Sequence, residues 1–304
     1  MESPRDSDEL DVEVDVTLVR RLLEMQFPQW AELLLTPVDC GGWDNRTFRL
    51  GNAMSVRLPS AERYGAQVEK EQRWLPKLAP LLPLLVPQPL ALGMPALGYP
   101  LRWSVYGWIE GETATMERIA DAREFAVALA DFLKALHRIE SAGGPPPGSH
   151  NFLRGGSLAS YDGELREAIA ALHGQIDTNA VSRSWEAALE ASWRGTPVWV
   201  HGDISPANLL VRDGRLRAVI DFGCLGVGDP ACDLTIAWTL LAKEIRAVFR
   251  ATLSLDVETW ARARGWALWK AVTTFAENQR TSPVEAARAR RVIEAVLGDQ
   301  GDEG

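Results

Sequence analysis

The residues with the clearest chemical potential lie in one stretch, His201-Gly202-Asp203-Ile204-Ser205-Pro206-Ala207-Asn208, and Asp221-Phe222-Gly223 follows with Asp221 thirteen residues after Asn208. Moving a phosphoryl group from a nucleoside triphosphate to a hydroxyl asks little of a protein. It needs a carboxylate to orient the hydroxyl and take its proton, oxygen ligands for a metal ion, and cations for the phosphates. Magnesium takes hard oxygen ligands and keeps several waters, so one amide and one carboxylate suffice beside a triphosphate. Asp203, Asn208 and Asp221 supply those groups in order. Singly, Asp and Asn are common turn residues, and Ser205-Pro206 is itself turn-like. All three together, in that order, are far more specific.

Short apolar segments stand before both acidic motifs: Pro197-Val198-Trp199-Val200 and Arg217-Ala218-Val219-Ile220 read as buried strands that aim the side chains following them. Upstream, Val16, Val19, Leu22, Leu23 and Phe27 recur at helical spacing within a run from Val14 to about Leu35. Thr47 to Leu50 and Met54 to Leu58, around Gly51-Asn52, predict a β-hairpin. A charged amphipathic helix is expected over Tyr64 to Ala79, and a strand over Leu101 to Tyr106. Past Gly111 the pattern turns helical: one stripe ends near His137, more helix covers roughly 162–193, and the chain beyond Asp233 is helical by composition. The fold class expected is α+β, with a β-rich first third and a mainly helical remainder.

His-Gly-Asp-x-x-x-x-Asn, Asp-Phe-Gly and then Gly228-Asp229-Pro230-Ala231-Cys232-Asp233-Leu234 resemble the aminoglycoside phosphotransferase family, small-molecule kinases that share the protein-kinase-like bilobal fold. The resemblance runs from about Gly41 to Trp269 and is most specific over 198–234. Gly202 holds a place where a protein kinase normally carries Arg. The resemblance implies Asp203 as catalytic base, Asn208 and Asp221 as magnesium ligands, and Asp233 and His201 as braces of the catalytic loop. It also implies a nucleotide-binding lobe over 1–107 and a catalytic and acceptor-binding lobe over 108–304. ATP is the expected donor, with GTP as the alternative, and Mg2+ the expected ion.

On the nucleotide side, Gly41-Gly42-Trp43-Asp44-Asn45 resembles the family's nucleotide-positioning loop, where glycines let backbone N–H groups approach phosphate oxygens. Arg57 falls where a kinase fold has its phosphate-holding lysine; a guanidinium can clamp phosphate bidentately. Glu71 is its expected partner, with Glu69 second. The Gly107 carbonyl and the Ile109 N–H are expected at the purine edge. The expected acceptor is the hydroxyl of an aminoglycoside-type antibiotic, hence a role in antibiotic resistance; a macrolide, or choline, homoserine or another alcohol, is the alternative. A polyamine acceptor needs converging carboxylates; beyond Asp233 the candidates are Glu244, Asp256, Glu258 and Glu277. A pseudokinase has no need of the complete carboxylate set. Most of the twelve tryptophans are expected in the core.

Bulk properties bound these readings. The chain has 304 residues, long enough for two lobes. Its net charge of −9 is mostly N-terminal, since residues 1–40 hold ten carboxylates and three basic side chains. That argues against nucleic-acid binding, which leaves a basic footprint. No apolar run approaches the roughly 20 residues of a membrane helix, and acidic residues stand where an export signal would be basic. Cys40, Cys224 and Cys232 are too few and scattered for a disulfide framework or zinc site. The expectation is a cytoplasmic monomer or homodimer with neither nucleic-acid nor membrane partners.

Overall fold

Asp15 starts the first helix, α1 (Val16–Gln26), by accepting a hydrogen bond from the Leu18 N–H at 2.8 Å, which satisfies one of the donors a helix start leaves unpaired. Leu18, Val19, Leu22 and Leu23 form its buried face. The helical run expected to reach Leu35 stops short. Phe27 precedes Pro28 and takes φ −138°, outside the helical region, as residues before proline tend to do. Leu35 instead opens a strand, β1 (Leu35–Pro37). The computed structural model describes residue 10, residues 12–38 and residues 44–299.

The predicted hairpin is present as β2 (Asn45–Leu50) and β3 (Met54–Pro59), with the buried pair Phe48 and Val56 directly opposite. Next come α2 (Gly65–Leu78), β4 (Pro89–Gly93) and β5 (Trp103–Gly107). The five strands form one antiparallel sheet in the order β1-β2-β3-β5-β4. Its apolar face packs on α1 in a small core containing Leu22, Leu23, Leu58 and Trp103. Helix α2 also buries two charged side chains, Lys70 and Glu71, and buried charges need partners.

The remainder is built from β6 (Glu112–Thr113), α3 (Ala122–Arg138), α4 (Asp162–Ala171), α5 (Thr178–Glu190), β7 (Val198–Val200), β8 (Leu209–Arg212), β9 (Arg215–Val219), β10 (Gly226–Gly228), α6 (Ile236–Thr239), α7 (Lys243–Leu253), α8 (Val257–Asn278) and α9 (Pro283–Asp299). The helix expected over 162–193 is two helices, the second restarted by Asp177, which accepts from the Ala180 N–H at 2.9 Å. Two small sheets, β7 with β10 and β6-β8-β9, carry the acidic motifs at their ends.

Helix α8 is the centre of this larger part, apolar on most of its surface and packed against α4, α5 and α9, as a core helix should be. At Gly265 a Cβ would lie 2.7 Å from the Ala188 methyl and 2.8 Å from Leu158 Cδ1, so only glycine allows α5 so close. Trp185, Trp199, Trp260 and Trp266 are almost fully buried here, as expected of the tryptophans. A buried pair, Arg246 on α7 with Asp299 at the end of α9, closes the bottom, and the Trp238 indole donates to the same carboxylate at 2.9 Å. Among the described residues no helix is long and apolar enough to cross a membrane.

Candidate active site

Strand β7 delivers the chain to His201, and four interactions then hold the loop. Asp233 receives two backbone donors, the His201 N–H at 2.8 Å on one oxygen and the Gly202 N–H at 2.7 Å on the other. Burial pushes the Asp233 carboxyl up to about 6, against those hydrogen bonds and the nearby His201. The His201 ring donates from Nε2 to the Ile220 carbonyl at 3.0 Å and accepts the Asp203 N–H on Nδ1 at 3.2 Å. Gly202 has φ +84°, and a Cβ there would lie 2.4 Å from the Cys224 carbonyl. The glycine that stands in place of a protein kinase's Arg is therefore dictated by backbone geometry.

Asp203 emerges from this frame. Its carboxylate accepts the Asn208 amide N–H at 3.0 Å, and its carbonyl accepts a second bond from that amide at 2.9 Å. With Nδ2 committed to Asp203, the Asn208 Oδ1 is left to accept a cation. The other Asp203 oxygen is 2.6 Å from the Lys270 ammonium on α8. Burial alone would raise the Asp203 carboxyl; Lys270, then Arg154 and His201, outweigh it and hold the carboxyl below its usual range.

Asp221 follows β9 with φ +64° and accepts from the Gly223 N–H at 3.4 Å. Arg57, on β3, donates to Asp221 at 3.1 Å and lies 3.7 Å from Glu71. Burial would lower the Arg57 guanidinium's pKa, but Asp221, Glu71 and Tyr106 outweigh it and raise it. Burial raises the Glu71 carboxyl, with Arg57 opposing, and the Tyr106 hydroxyl donates to it. Glu69, the second candidate partner for Arg57, is instead on the surface with Arg102.

Arg57, Gly107, Ile109, Asn208 and Asp221 line one cleft of about 470 Å³, walled by apolar Val38, Leu210 and Ile220. Glu71 adjoins Arg57, and Asp203 adjoins Asn208. Ile109 makes no hydrogen bond among the described residues, which leaves its N–H available. Gly41 and Gly42 lie outside the described residues. Asp44, just beyond them, is close enough to Asp221 and Asp203 that burial first, and then their charges, push its carboxyl up to about 6.

The donor set suits magnesium: hard oxygens from one amide and one carboxylate, with the remaining positions left to phosphate and water. Among the described residues no cluster of three or more His, Cys, Asp or Glu forms a self-sufficient metal cage.

Several contributors escaped the sequence reading. Lys70 reaches from α2 to the Gly223 carbonyl at 2.7 Å and to His150 Nδ1 at 3.1 Å, tying the helix to the Asp-Phe-Gly turn. Lys270 and Arg154 flank Asp203 from α8 and a loop. Asp229 pairs with Arg262 of α8 at 2.6 Å while accepting from the Ala231 N–H at 3.1 Å, so the Gly-Asp-Pro segment fixes α8 relative to the catalytic loop. Only Asp229 carried a sequence signal, through its motif.

A five-stranded sheet and a helical part, with an amide and a carboxylate lining one cleft and a second carboxylate beside them, define a phosphotransferase with the kinase-like fold. The family model described as the phosphotransferase enzyme family matches residues 35–266, and the chain belongs to that family, an enzyme that phosphorylates hydroxyl groups. Solved structures share the fold at low identity. The GDP complex of aminoglycoside 2′-phosphotransferase-IIIa is 18% identical, with a TM-score of 0.70 over 94% of this chain and 100% of that one. The streptomycin–ATP ternary complex of APH(2″)-IIa is 20% identical, with a TM-score of 0.61 over 94% and 97%. The macrolide 2′-phosphotransferase MphH from Brachybacterium faecium is 22% identical, with a TM-score of 0.58 over 93% and 97%. No curated protein sequence matches significantly.

Proposed function

We propose that this enzyme transfers the γ-phosphoryl group of ATP, taken as its magnesium complex, to a small-molecule hydroxyl presented to Asp203. GTP is the alternative donor. The observation that carries this reading is the Asp203–Asn208 contact at 3.0 Å: the carboxylate that would receive the acceptor proton touches the amide that would face the metal. Arg57 and the glycine loop before Asp44 would hold the triphosphate, and the Ile109 N–H and Gly107 carbonyl the purine edge. Bound magnesium would neutralise charge on the β- and γ-phosphates. Asp203 would orient the attacking hydroxyl and accept its proton as the new P–O bond forms and the bond from the γ-phosphorus to the β-phosphate oxygen breaks, releasing ADP. Residues 1–107 serve as the nucleotide lobe and 108–304 as the catalytic and acceptor lobe in this account.

The aminoglycoside acceptor implied by the family resemblance is the first to assay, and two of the similar structures carry aminoglycoside or streptomycin in their names. The carboxylates it would need are mostly elsewhere. Asp256 caps the far end of α8, about 20 Å along the helix from Lys270. Glu258 is in the same first turn, and Glu244 is exposed at the start of α7. Glu277 alone lies on the Lys270 face, two turns or about 10 Å further on. That distribution favours the second reading, an acceptor that is not a polycation. The test is magnesium-dependent phosphate transfer from labelled ATP to aminoglycosides, macrolides and uncharged or acidic alcohols. Phosphorylated product from any of them supports the kinase reading; no product and no magnesium-dependent nucleotide binding would defeat it.

A further inference from the structure

Arg154, in the loop before α4, is half-buried beside the catalytic loop. Its guanidinium is held by rings: 4.6 Å from the Trp269 centre, 5.4 Å from Trp266 and 6.0 Å from Tyr161. Tyr161 and Trp269 are themselves packed with centroids 4.1 Å apart. Such a cradle fixes a guanidinium by its face while sparing the N–H edge.

That edge is almost unspent. Its one hydrogen bond among the described residues is a 3.5 Å contact to the Tyr161 hydroxyl. No carboxylate there pairs with it. Glu164, the acidic side chain next to the cradle, is engaged instead by the Trp269 indole N–H at 2.9 Å. Lys270 follows Trp269 directly and places its ammonium 2.6 Å from Asp203. Asp203 is thus paired with Lys270, and Arg154 places a second positive charge near the same carboxylate without contacting it. A guanidinium edge left this free fits a carboxylate or phosphate bidentately.

We propose that Arg154 and Lys270 form an anion-binding half of the acceptor site, and that the acceptor carries a carboxylate close to the hydroxyl received by Asp203. This deepens the kinase reading and rests on it. A polyamine would meet two cations at the reacting centre, whereas an acidic acceptor would complete the charge pattern. Lys270 would exchange its contact with Asp203 for the acceptor's anion, freeing the Asp203 oxygen for the hydroxyl.

The test uses the full chain with magnesium and a non-hydrolysable ATP analogue, so that the γ-phosphate position is filled. Matched hydroxylated compounds on several scaffolds, each as carboxylate, carboxamide and amine, are titrated alongside kanamycin by calorimetry. The carboxylates are expected to bind at least tenfold more tightly than the amides, and the amines most weakly. Arg154→Ala should abolish most of that margin and Arg154→Lys restore part of it; Lys270→Gln should reduce it. Tightest binding by amines or kanamycin, equal binding across each triplet, or no binding by any carboxylate overturns the proposal. So does carboxylate binding that disappears when the ATP analogue is present, because the cations would then serve only the phosphoryl group in transit. Labelled phosphate transfer is read on the same panel with ATP. Absent transfer with the carboxylate preference intact would defeat the kinase reading and leave the anion site standing.

Discussion

The two sides of Asp203 are built in opposite ways. The catalytic loop itself comes from one short run, His201 to Asn208, with Asp221 thirteen residues on, and backbone and side-chain hydrogen bonds tie it to its frame. On the proposed acceptor side, Arg154 and Tyr161 come from loop and turn segments and Trp269 and Lys270 from α8, so their fit depends on how α8 packs. The first arrangement fixes a reaction; the second is free to select a substrate. A shared fold with varied acceptors follows from that division, since function lives in the site and not in the scaffold.

The contrast can be broken most decisively at the metal. Asp221→Ala removes a carboxylate that would face the triphosphate and releases Arg57, so turnover is expected to fall at least about 10³-fold. Magnesium dependence of nucleotide binding should fall with it. Magnesium titrations of nucleotide affinity check this, and an unchanged dependence would remove Asp221 from the metal site.

The loop frame gives a stability effect. Asp233→Ala strips the acceptor from two buried N–H groups, His201 and Gly202, and should cost about 2–6 kcal/mol, because each orphaned buried donor costs roughly 1–3 kcal/mol. Asp233→Asn keeps one oxygen and should cost less. Urea unfolding measures both; equal, small losses would mean the loop is held by packing alone.

Lys70 gives an effect of comparable size with a defined pH signature. Burial, only partly opposed by Cys224 and Glu71, lowers its ammonium to about 8. Between that value and the unfolded value of 10.5 the unfolded chain binds more protons, so stability rises with pH across this window and is pH-independent below it. Relative to Lys70→Met, wild type should gain about 3 kcal/mol from pH 8 to 10.5. Parallel unfolding curves at pH 7.5, 9 and 10.5 would show it; a constant difference would contradict the lowered Lys70 pKa.

The same division explains what the sequence made legible. Asp203, Asn208 and Asp221 were readable because their spacing is set locally by short strands and a tight loop. Arg57 and Glu71 were named through the family resemblance alone, and the structure brings the two within 3.7 Å. The stop of α1 at Phe27 and the break between α4 and α5 were not read, though Pro28 and Asp177 were visible signals of each. Lys70, Arg154 and Lys270 had no local signal at all. Their roles exist only after helices far apart in sequence have packed, and Lys270 lies sixty-seven residues from the carboxylate it touches.

The central claim is that Asp203 is the carboxylate that receives the acceptor hydroxyl. Its most direct test is Asp203→Asn, which preserves shape and removes the basic oxygen. Phosphate transfer from ATP and equilibrium nucleotide binding are measured in parallel on wild type and variant. A fall in kcat of roughly 10²–10⁴ with nucleotide affinity retained is expected, the usual contribution of a general base. Near wild-type kcat in the variant would contradict it.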